Sequence, residues 1–156
     1  MNEDELLNEV LCVYENQCRY LKEVELDGKQ AWGRFSVPET HYAVKGRKYH
    51  LNAAEAIIVY EQIMYVAIGN IFIHGLLDLK QLPRDIFFPT VVDEKTLISR
   101  LQARFSKSVN SNDFSGVFSI KKILQRGKKY WFKTMFEIND NAQSLEVSLC
   151  VDLRGI

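Results

Sequence analysis

The sequence contains few of the residues that cross-link a chain, since cysteine occurs only 3 times in 156 residues. Cys12, Cys18 and Cys150 are an odd set without a Cys-x-x-Cys pair, so neither a disulfide framework nor a zinc site is predicted. The first residues, Met-Asn-Glu-Asp-Glu, lack the positive charge with which a secretory signal peptide begins. We therefore expect a cytoplasmic protein with reduced cysteines.

An excess of either charge is also missing. The 20 Lys and Arg residues balance 20 Asp and Glu residues, and the formal net charge is zero. A general nucleic-acid binder would carry a basic excess, so the composition disfavours that class. Apolar residues make up 47% of the chain, which is enough for a packed core and argues against disorder. The length predicts a single domain that spans residues 1–156.

Uninterrupted hydrophobic runs of membrane-spanning length are absent as well. The most apolar segment, residues 53–79, is long enough to cross a bilayer but contains several polar and charged side chains. These are Glu55, Glu61, Gln62, Asn70, His74 and Asp78. The segment therefore predicts a buried core helix.

The ends of this helix are marked in the sequence. Asn52 is a typical N-cap, Glu55 follows at the spacing of a capping box, and Gly75 is a typical end. We expect the helix dipole to lower the pKa of Glu55. Apolar residues cover nearly all faces of the helix, which predicts burial on most sides. One stripe at helical spacing comprises Ala54, Ile57, Ile58, Tyr65, Ile68 and Phe72.

A period of two predicts strands on both sides of the helix. Residues 19–26 and 30–37 flank the hairpin signal Asp27-Gly28, and a short amphipathic helix at residues 4–14 precedes them. Four alternating runs follow the long helix, and each has one apolar face. They begin at Leu97, Phe114, Tyr130 and Leu145. An antiparallel sheet wrapped around one long helix would cover it, so we expect an α+β hot-dog fold.

With these elements placed, the sequence resembles the FcoT-like thioesterases, which are hot-dog enzymes that act on fatty acyl thioesters. The resemblance extends from about residue 6 to the C-terminus and is most specific in residues 50–65. The residues that carry it are Tyr14, Cys18, Arg19, Tyr20, Leu21, Tyr42, His50, Leu51, Asn52, Ala53, Ala54, Glu55, Gln62, Tyr65, Arg104, Phe105, Asn110 and Phe114.

The resemblance implies a fatty acyl or 2-enoyl thioester as the substrate, carried on the phosphopantetheine of an acyl carrier protein or of coenzyme A. It implies no further cofactor and no metal. It also implies a homodimer or a larger assembly of dimers, because sites in hot-dog enzymes typically form where two protomers meet. Some relatives add glycine to the β-carbon of a 2-enoyl thioester and release an N-carboxymethyl-3-amino acid, a step in isonitrile lipopeptide biosynthesis.

The resemblance also implies site residues. In the glycine-adding relatives a His and a Glu five residues apart carry the chemistry, and His50 and Glu55 match that pair. A second asparagine of the family's thioesterase site is replaced here by Glu61. The remaining residues of that site correspond to Tyr14, Tyr42, Asn52 and Tyr65.

Each of these residues also has an ordinary structural interpretation. His50 has the unperturbed pKa of about 6.5 that suits a general base, but it also fits a surface position in a basic loop. Asn52 and Glu55 can serve only to cap the helix. Glu61 can be a hydrogen-bonded core residue at a dimer interface, and the tyrosines fit an ordinary core as well as an acyl tunnel. Cys18 is expected to be a buried strand residue.

Two basic clusters could bind the phosphates of coenzyme A or the acidic face of a carrier protein, although such clusters are more often solvated turns. Arg47 is also a candidate for binding the carboxylate of glycine. The clusters are Lys45, Arg47 and Lys48, and Lys121, Lys122, Arg126, Lys128 and Lys129.

Three functions remain open on these residues. The first is a hot-dog enzyme that adds glycine at C3 and hydrolyses the thioester, with His50 as general base, Glu55 as its partner and Asn52 polarising the carbonyl. The second is a plain long-chain acyl thioesterase in which His50 or Glu61 activates water. The third is a non-catalytic acyl-binding module.

Overall fold

The computed structural model describes residues 1–47 and 50–156. In chain order the structure has α1 (Glu3–Leu11), a 3-10 turn (Asn16–Cys18), β1 (Leu21–Asp27), β2 (Gln30–Phe35), α2 (Ala53–His74), α3 (Arg84–Ile86), a π-helical segment (Phe87–Lys95), β3 (Thr96–Phe105), β4 (Phe114–Arg126), β5 (Lys129–Ile138) and β6 (Gln143–Asp152).

The strands form one six-stranded sheet in the order β1-β2-β4-β5-β6-β3, and all neighbouring strands are antiparallel. The alternation expected from the sequence is clear in β5, where Tyr130, Phe132, Thr134 and Phe136 are buried and the residues between them are more exposed. Every second side chain therefore points to the core on the inner face of the sheet. The predicted α+β class, with four strands after the long helix, is confirmed.

The long helix α2 is the centre of the core. Val59, Tyr60 and Ile63 are completely buried, and the hydroxyl of Tyr60 hydrogen-bonds to Thr134 Oγ1 at 2.7 Å. By length and composition α2 could cross a bilayer, yet 67% of its most apolar window is buried inside the fold. The sequence-based expectation of a core helix agrees with this burial.

Both predicted ends of α2 are observed. Asn52 is the N-cap of a complete capping box with Glu55, and Gly75 is the C-cap in the left-handed region, with φ of 62°. A left-handed backbone at this position favours glycine because it has no Cβ. The sequence alone thus placed both ends of the helix.

Gln62 is a completely buried amide in the middle of α2, and it ties the helix to the start of β1. Its Oε1 accepts hydrogen bonds from the N–H groups of Tyr20 and Leu21, both at 3.0 Å. Its Nε2 donates to the carbonyl of Cys18 at 2.7 Å. Three backbone groups that would otherwise be buried without partners are satisfied by this amide.

These bonds explain a wrong prediction about the first strand. Cys18 was expected in a strand, but it lies half-buried in the 3-10 turn, and β1 begins only at Leu21. The reason is that the backbone groups just before the strand, the carbonyl of Cys18 and the N–H groups of Tyr20 and Leu21, hydrogen-bond to Gln62 instead of to a neighbouring strand. The first helix also ends earlier than expected, at Leu11, and β2 ends at Phe35.

Two expected apolar faces are only partly buried. In β3 the register shifts between Ile98 and Arg100, and this bulge turns Leu97 to the outer face, where it is 66% exposed. In α2 the stripe is divided, because Ile68 and Phe72 are buried whereas Ile57 and Tyr65 are only half-buried. Thus α2 presents one partly uncovered side.

We expect Gln62→Leu to lower the free energy of unfolding by at least about 2 kcal/mol, because each backbone group left buried without a partner costs about 1–3 kcal/mol. Urea unfolding monitored by circular dichroism measures this loss. Gln81→Leu is the matched control, since Gln81 is exposed and makes one hydrogen bond, to the carbonyl of Ile73. Equal stability of the two variants would contradict the role given to Gln62.

Candidate functional site at the start of the central helix

The start of α2 brings four polar side chains together. Asn52 Oδ1 accepts a hydrogen bond from the N–H of Glu55 at 3.0 Å, and Glu55 Oε1 accepts one from the N–H of Asn52 at 3.3 Å. The hydroxyl of Thr40 donates to Glu55 Oε2 at 3.3 Å. Asn52 Nδ2 donates to the hydroxyl of Tyr42. The helix cap therefore also binds the loop that carries Thr40 and Tyr42.

The carboxyl of Glu55 lies in a buried environment, with only 1% of the residue exposed. Burial raises its pKa, while the hydrogen bonds from Asn52 and Thr40 and the charges of His41 and His50 act in the opposite direction. The expected lowering of this pKa was wrong, because the loss of water around the carboxylate outweighs the helix terminus and the donors. Glu55 therefore keeps a proton to a higher pH than an ordinary glutamate.

His50 lies two residues before Asn52 and is exposed. It lines a surface depression of about 290 Å³ together with Asn52, Phe105 and Gln143. The charge of His50 acts to lower the pKa of Glu55, although the Glu55 carboxyl oxygens hydrogen-bond to Asn52 and Thr40. The structure thus places the predicted His50–Glu55 pair at one end of α2, and the catalytic roles of the two residues stay predictions.

A second group of the predicted residues lies on the partly uncovered side of α2. Glu61 is half-buried there beside Tyr65, and Tyr14 approaches it from the segment after α1. Burial raises the pKa of Glu61. Burial, together with the charges of Glu61 and Asp93, also raises the pKa of Tyr65 to about 12. Among the residues that the structure describes, none hydrogen-bonds to the Glu61 carboxylate or pairs with it.

The two groups are separated along α2. Glu55 and Glu61 are six residues apart, which corresponds to about 9 Å along the helix axis and roughly a third of a turn around it. A single chain therefore does not bring Glu61, Tyr14 and Tyr65 to the side of the helix that holds Glu55.

The loop before α2 contains the first basic cluster. Lys45 and Arg47 are exposed and, together with His41, line a depression of about 380 Å³. Lys48 lies outside the described residues. In the second cluster, Lys121, Lys122, Arg126 and Lys128 are exposed on β4 and on its turn to β5.

Two residues that matter here were missed or undervalued from the sequence. Thr40 is buried and hydrogen-bonds to Glu55, but the two are 15 residues apart and no motif links them. Gln62 was named as a polar residue of the helix and as part of the family resemblance, but its structural role was not predicted, although an amide inside an apolar helix demands hydrogen-bond partners. Within residues 1–47 and 50–156, no three His, Cys, Asp or Glu side chains are grouped so that they could hold a metal ion.

Comparison with known proteins identifies the family. A sequence profile of the FcoT-like thioesterase domain matches residues 9–146. The chain belongs to the FcoT-like thioesterase family. A (2E)-enoyl-ACP glycyltransferase of Streptomyces coeruleorubidus is 30% identical to this FcoT-like protein over 131 residues, which cover 81% of the chain and 78% of the relative.

Solved structures share the fold of this FcoT-like chain at low sequence identity. The Escherichia coli PaaI protein, from the phenylacetic acid degradation operon, has a TM-score of 0.55 at 8% identity and covers 96% of this chain and 94% of its own. Cj0977, a sigma28-regulated virulence protein of Campylobacter jejuni, has a TM-score of 0.55 at 10% identity, with coverage of 97% and 98%. These neighbours confirm the predicted hot-dog fold.

We expect Asn52→Ala to destabilise the protein by about 1 kcal/mol through loss of the N-cap, and to lower acyl-thioester turnover at least tenfold because Tyr42 loses its partner. Asn2→Ala is the matched control, since Asn2 forms an identical capping box with Glu5 at the start of α1. Thermal unfolding and thioester hydrolysis measure the two effects. If both variants lose turnover equally, the cap of α2 has no special place in the site.

The raised pKa of Glu61 predicts a pH-dependent stability. Because the folded chain holds this proton to a higher pH than the unfolded chain, the free energy of unfolding falls as the pH rises from the ordinary pKa of 4.5 through the folded value. Glu61→Gln should therefore match the wild type in Tm at pH 4 and exceed it at pH 7. Glu25→Gln, at an exposed position of β1, controls for the lost charge. A constant difference in Tm across this range would contradict the burial cost.

Proposed function

We propose that this FcoT-like protein adds glycine to C3 of a fatty 2-enoyl thioester, held on an acyl carrier protein or coenzyme A, and then hydrolyses the thioester. The product would be an N-carboxymethyl-3-amino fatty acid. The observation that carries the proposal is the Glu55 carboxyl, buried at the start of α2 and hydrogen-bonded to Asn52 and Thr40, in the same helix start that follows His50. The 30% sequence identity to a (2E)-enoyl-ACP glycyltransferase supports the same reaction class.

In the addition step, His50 takes one proton from the ammonium group of glycine and frees the nitrogen lone pair. The nitrogen then forms a bond to C3, and the electrons of the C2=C3 double bond move onto the thioester carbonyl as an enolate. Asn52 and the free N–H groups of the first turn of α2 stabilise this negative oxygen. Proton return to C2 completes the addition, and the imidazolium of His50 supplies that proton.

In the hydrolysis step, His50 takes a proton from water as the oxygen attacks the thioester carbonyl. The tetrahedral oxyanion is stabilised at the same position as the enolate, because both place negative charge on the same oxygen. The thiolate of the carrier leaves and receives the proton that His50 holds. Glu55 is the proposed proton-relay partner of His50, since burial raises its pKa and lets the carboxyl take up a proton more readily than an ordinary glutamate.

A homodimer would bring the second group of residues to this chemistry. The partly uncovered side of α2 presents Ile57, Ile58, Glu61 and Tyr65, and a second copy packed antiparallel against it would place these side chains near the other helix start. Such an isologous contact repeats each interaction twice about a twofold axis. The apolar side chains and Tyr14 would then line the acyl chain.

A plain long-chain acyl thioesterase is the second candidate, and the family match favours it. In that reaction water replaces glycine as the only nucleophile. Glu61 is then a further candidate for the base that activates water, because burial raises its pKa and no described residue pairs with its carboxylate.

Incubation of the protein with a 2-enoyl thioester, with and without glycine, separates these candidates by mass spectrometry of the products. The proposal expects a free acid heavier by one glycine only when glycine is present. A free enoic acid in both samples would leave the plain thioesterase as the function.

His50→Ala should lower product formation about 10²–10⁴-fold, which is the usual contribution of a general base. Glu55→Gln should lower it at least tenfold at a temperature where circular dichroism shows the variant to be folded, since Glu55 also holds Asn52 and Thr40. His74→Ala is the matched control, since His74 is exposed at the other end of α2. Unchanged activity and unchanged ligand affinity in His50→Ala and Glu55→Gln would point to a non-catalytic acyl-binding module.

A further inference from the structure

The outer face of the sheet carries an exposed apolar row that the proposed chemistry does not use. Leu97, Cys150, Trp131 and Leu124 are register neighbours across β3, β6, β5 and β4. Leu97 is 66% exposed and Leu124 is 43% exposed. Cys150 and Trp131, between them, are half-buried. A contiguous, partly exposed apolar patch is typical of an interaction surface.

A row of cations lies directly beside the apolar row. Arg100, Ser148 and Lys133 are register neighbours across β3, β6 and β5. On the other side of β5, Lys122 of β4 is the register neighbour of Lys133. Arg100, Lys133 and the adjacent Lys121 line a depression of about 310 Å³ on this face. We call Arg100, Lys121, Lys122 and Lys133 the basic row.

The basic row has little neutralising charge near it. Glu146 is the only acidic side chain among the described residues that line the depression. Within the described part of the chain, Arg100, Lys121 and Lys133 form no salt bridge. Cations without partners beside an apolar row complement a protein helix that has acidic side chains next to an apolar stripe. Nucleic acid fits less well, because its phosphate backbone offers nothing apolar to cover Leu97 and Trp131.

We propose that the apolar and basic rows dock an acidic amphipathic helix of the acyl carrier protein that delivers the thioester. This inference rests on the proposed function, because it requires a carrier-bound substrate. The apolar and basic rows would be the surface of this chain that distinguishes a carrier protein from free coenzyme A. Electrostatic attraction between the two surfaces would raise the association rate and weaken with salt.

The position of the basic row suits delivery to the start of α2. Gln143, at the beginning of β6, donates a hydrogen bond to the carbonyl of Leu51, directly before Asn52. Five residues separate Gln143 from Ser148 in the basic row, which is about 17 Å along β6. An extended phosphopantetheine arm is comparable in length to six residues of extended chain, or about 20 Å. The arm is therefore longer than this separation along the strand, and we propose that it reaches from the docked carrier past the end of β6 to the start of α2.

The test is the double charge reversal Lys121→Glu with Lys133→Glu. The control pair is Lys22→Glu with Lys80→Glu, which makes the same charge change at exposed positions on β1 and after α2, outside the strands β3 to β6 that carry the two rows. The first measurement is fluorescence anisotropy with a labelled type II holo acyl carrier protein that bears no acyl chain. We expect the reversal to weaken binding at least tenfold and the control pair to leave it within twofold of the wild type. Because no turnover is needed, this result stands or falls separately from the proposed reaction.

The second measurement compares kinetics with three forms of the same 2-enoyl thioester, on the carrier protein, on coenzyme A and on pantetheine. The reversal should raise the KM for the carrier-bound form at least tenfold. The kcat for that form and the KM for both small thioesters should change less than twofold. The proposal is overturned if the wild type does not bind the carrier protein. It is also overturned if the double charge reversal binds the carrier protein as tightly as the wild type does. An equal rise in KM for the coenzyme A form overturns it too, since the rows would then recognise phosphate.

Discussion

A single buried amide sets the relation between the central helix and the first part of the sheet. Gln62 lies inside an otherwise apolar helix, where an amide without partners would be costly, and it satisfies the backbone of residues 18–21. The position of β1 relative to α2 follows from these three bonds, as does the path of the chain that leads to Tyr14. A polar residue in a core thus specifies one arrangement where apolar contacts would tolerate several.

The start of α2 shows that one set of hydrogen bonds can serve both the fold and the site. The capping box between Asn52 and Glu55 satisfies the free amides of the helix, and the same side chains hold Thr40 and Tyr42. This arrangement disfavours the charged form of Glu55, because burial raises its pKa despite the hydrogen bonds from Asn52 and Thr40. Groups that transfer protons often have pKa values shifted by their surroundings, as the pKa of Glu55 is.

Local features of the sequence account for most of the fold and for only part of the site. Asn52, Gly75 and the alternating strands could be predicted because caps and periodicity depend on near neighbours. The bulge beside Ser99, the burial of Glu55 and its bond to Thr40 could not, because each depends on residues that are distant in the chain. The family resemblance named Glu61, Tyr14 and Tyr65, but only the structure shows that they lie apart from His50 and Glu55 within one chain.

The strand order has a consequence for how the chain reaches its native state. Among the strands in the described residues, β3 pairs only with β6, although β4 and β5 come between them in the sequence. Phe105 must therefore meet Gln143, and Thr96 must meet Val151. Until β6 exists, during synthesis on the ribosome, β3 has no native partner on either side. Closing such a loop carries an entropic cost before any contact repays it, which slows folding and exposes an unpaired strand to other chains. The sheet is thus completed only when β6 lies between β5 and β3.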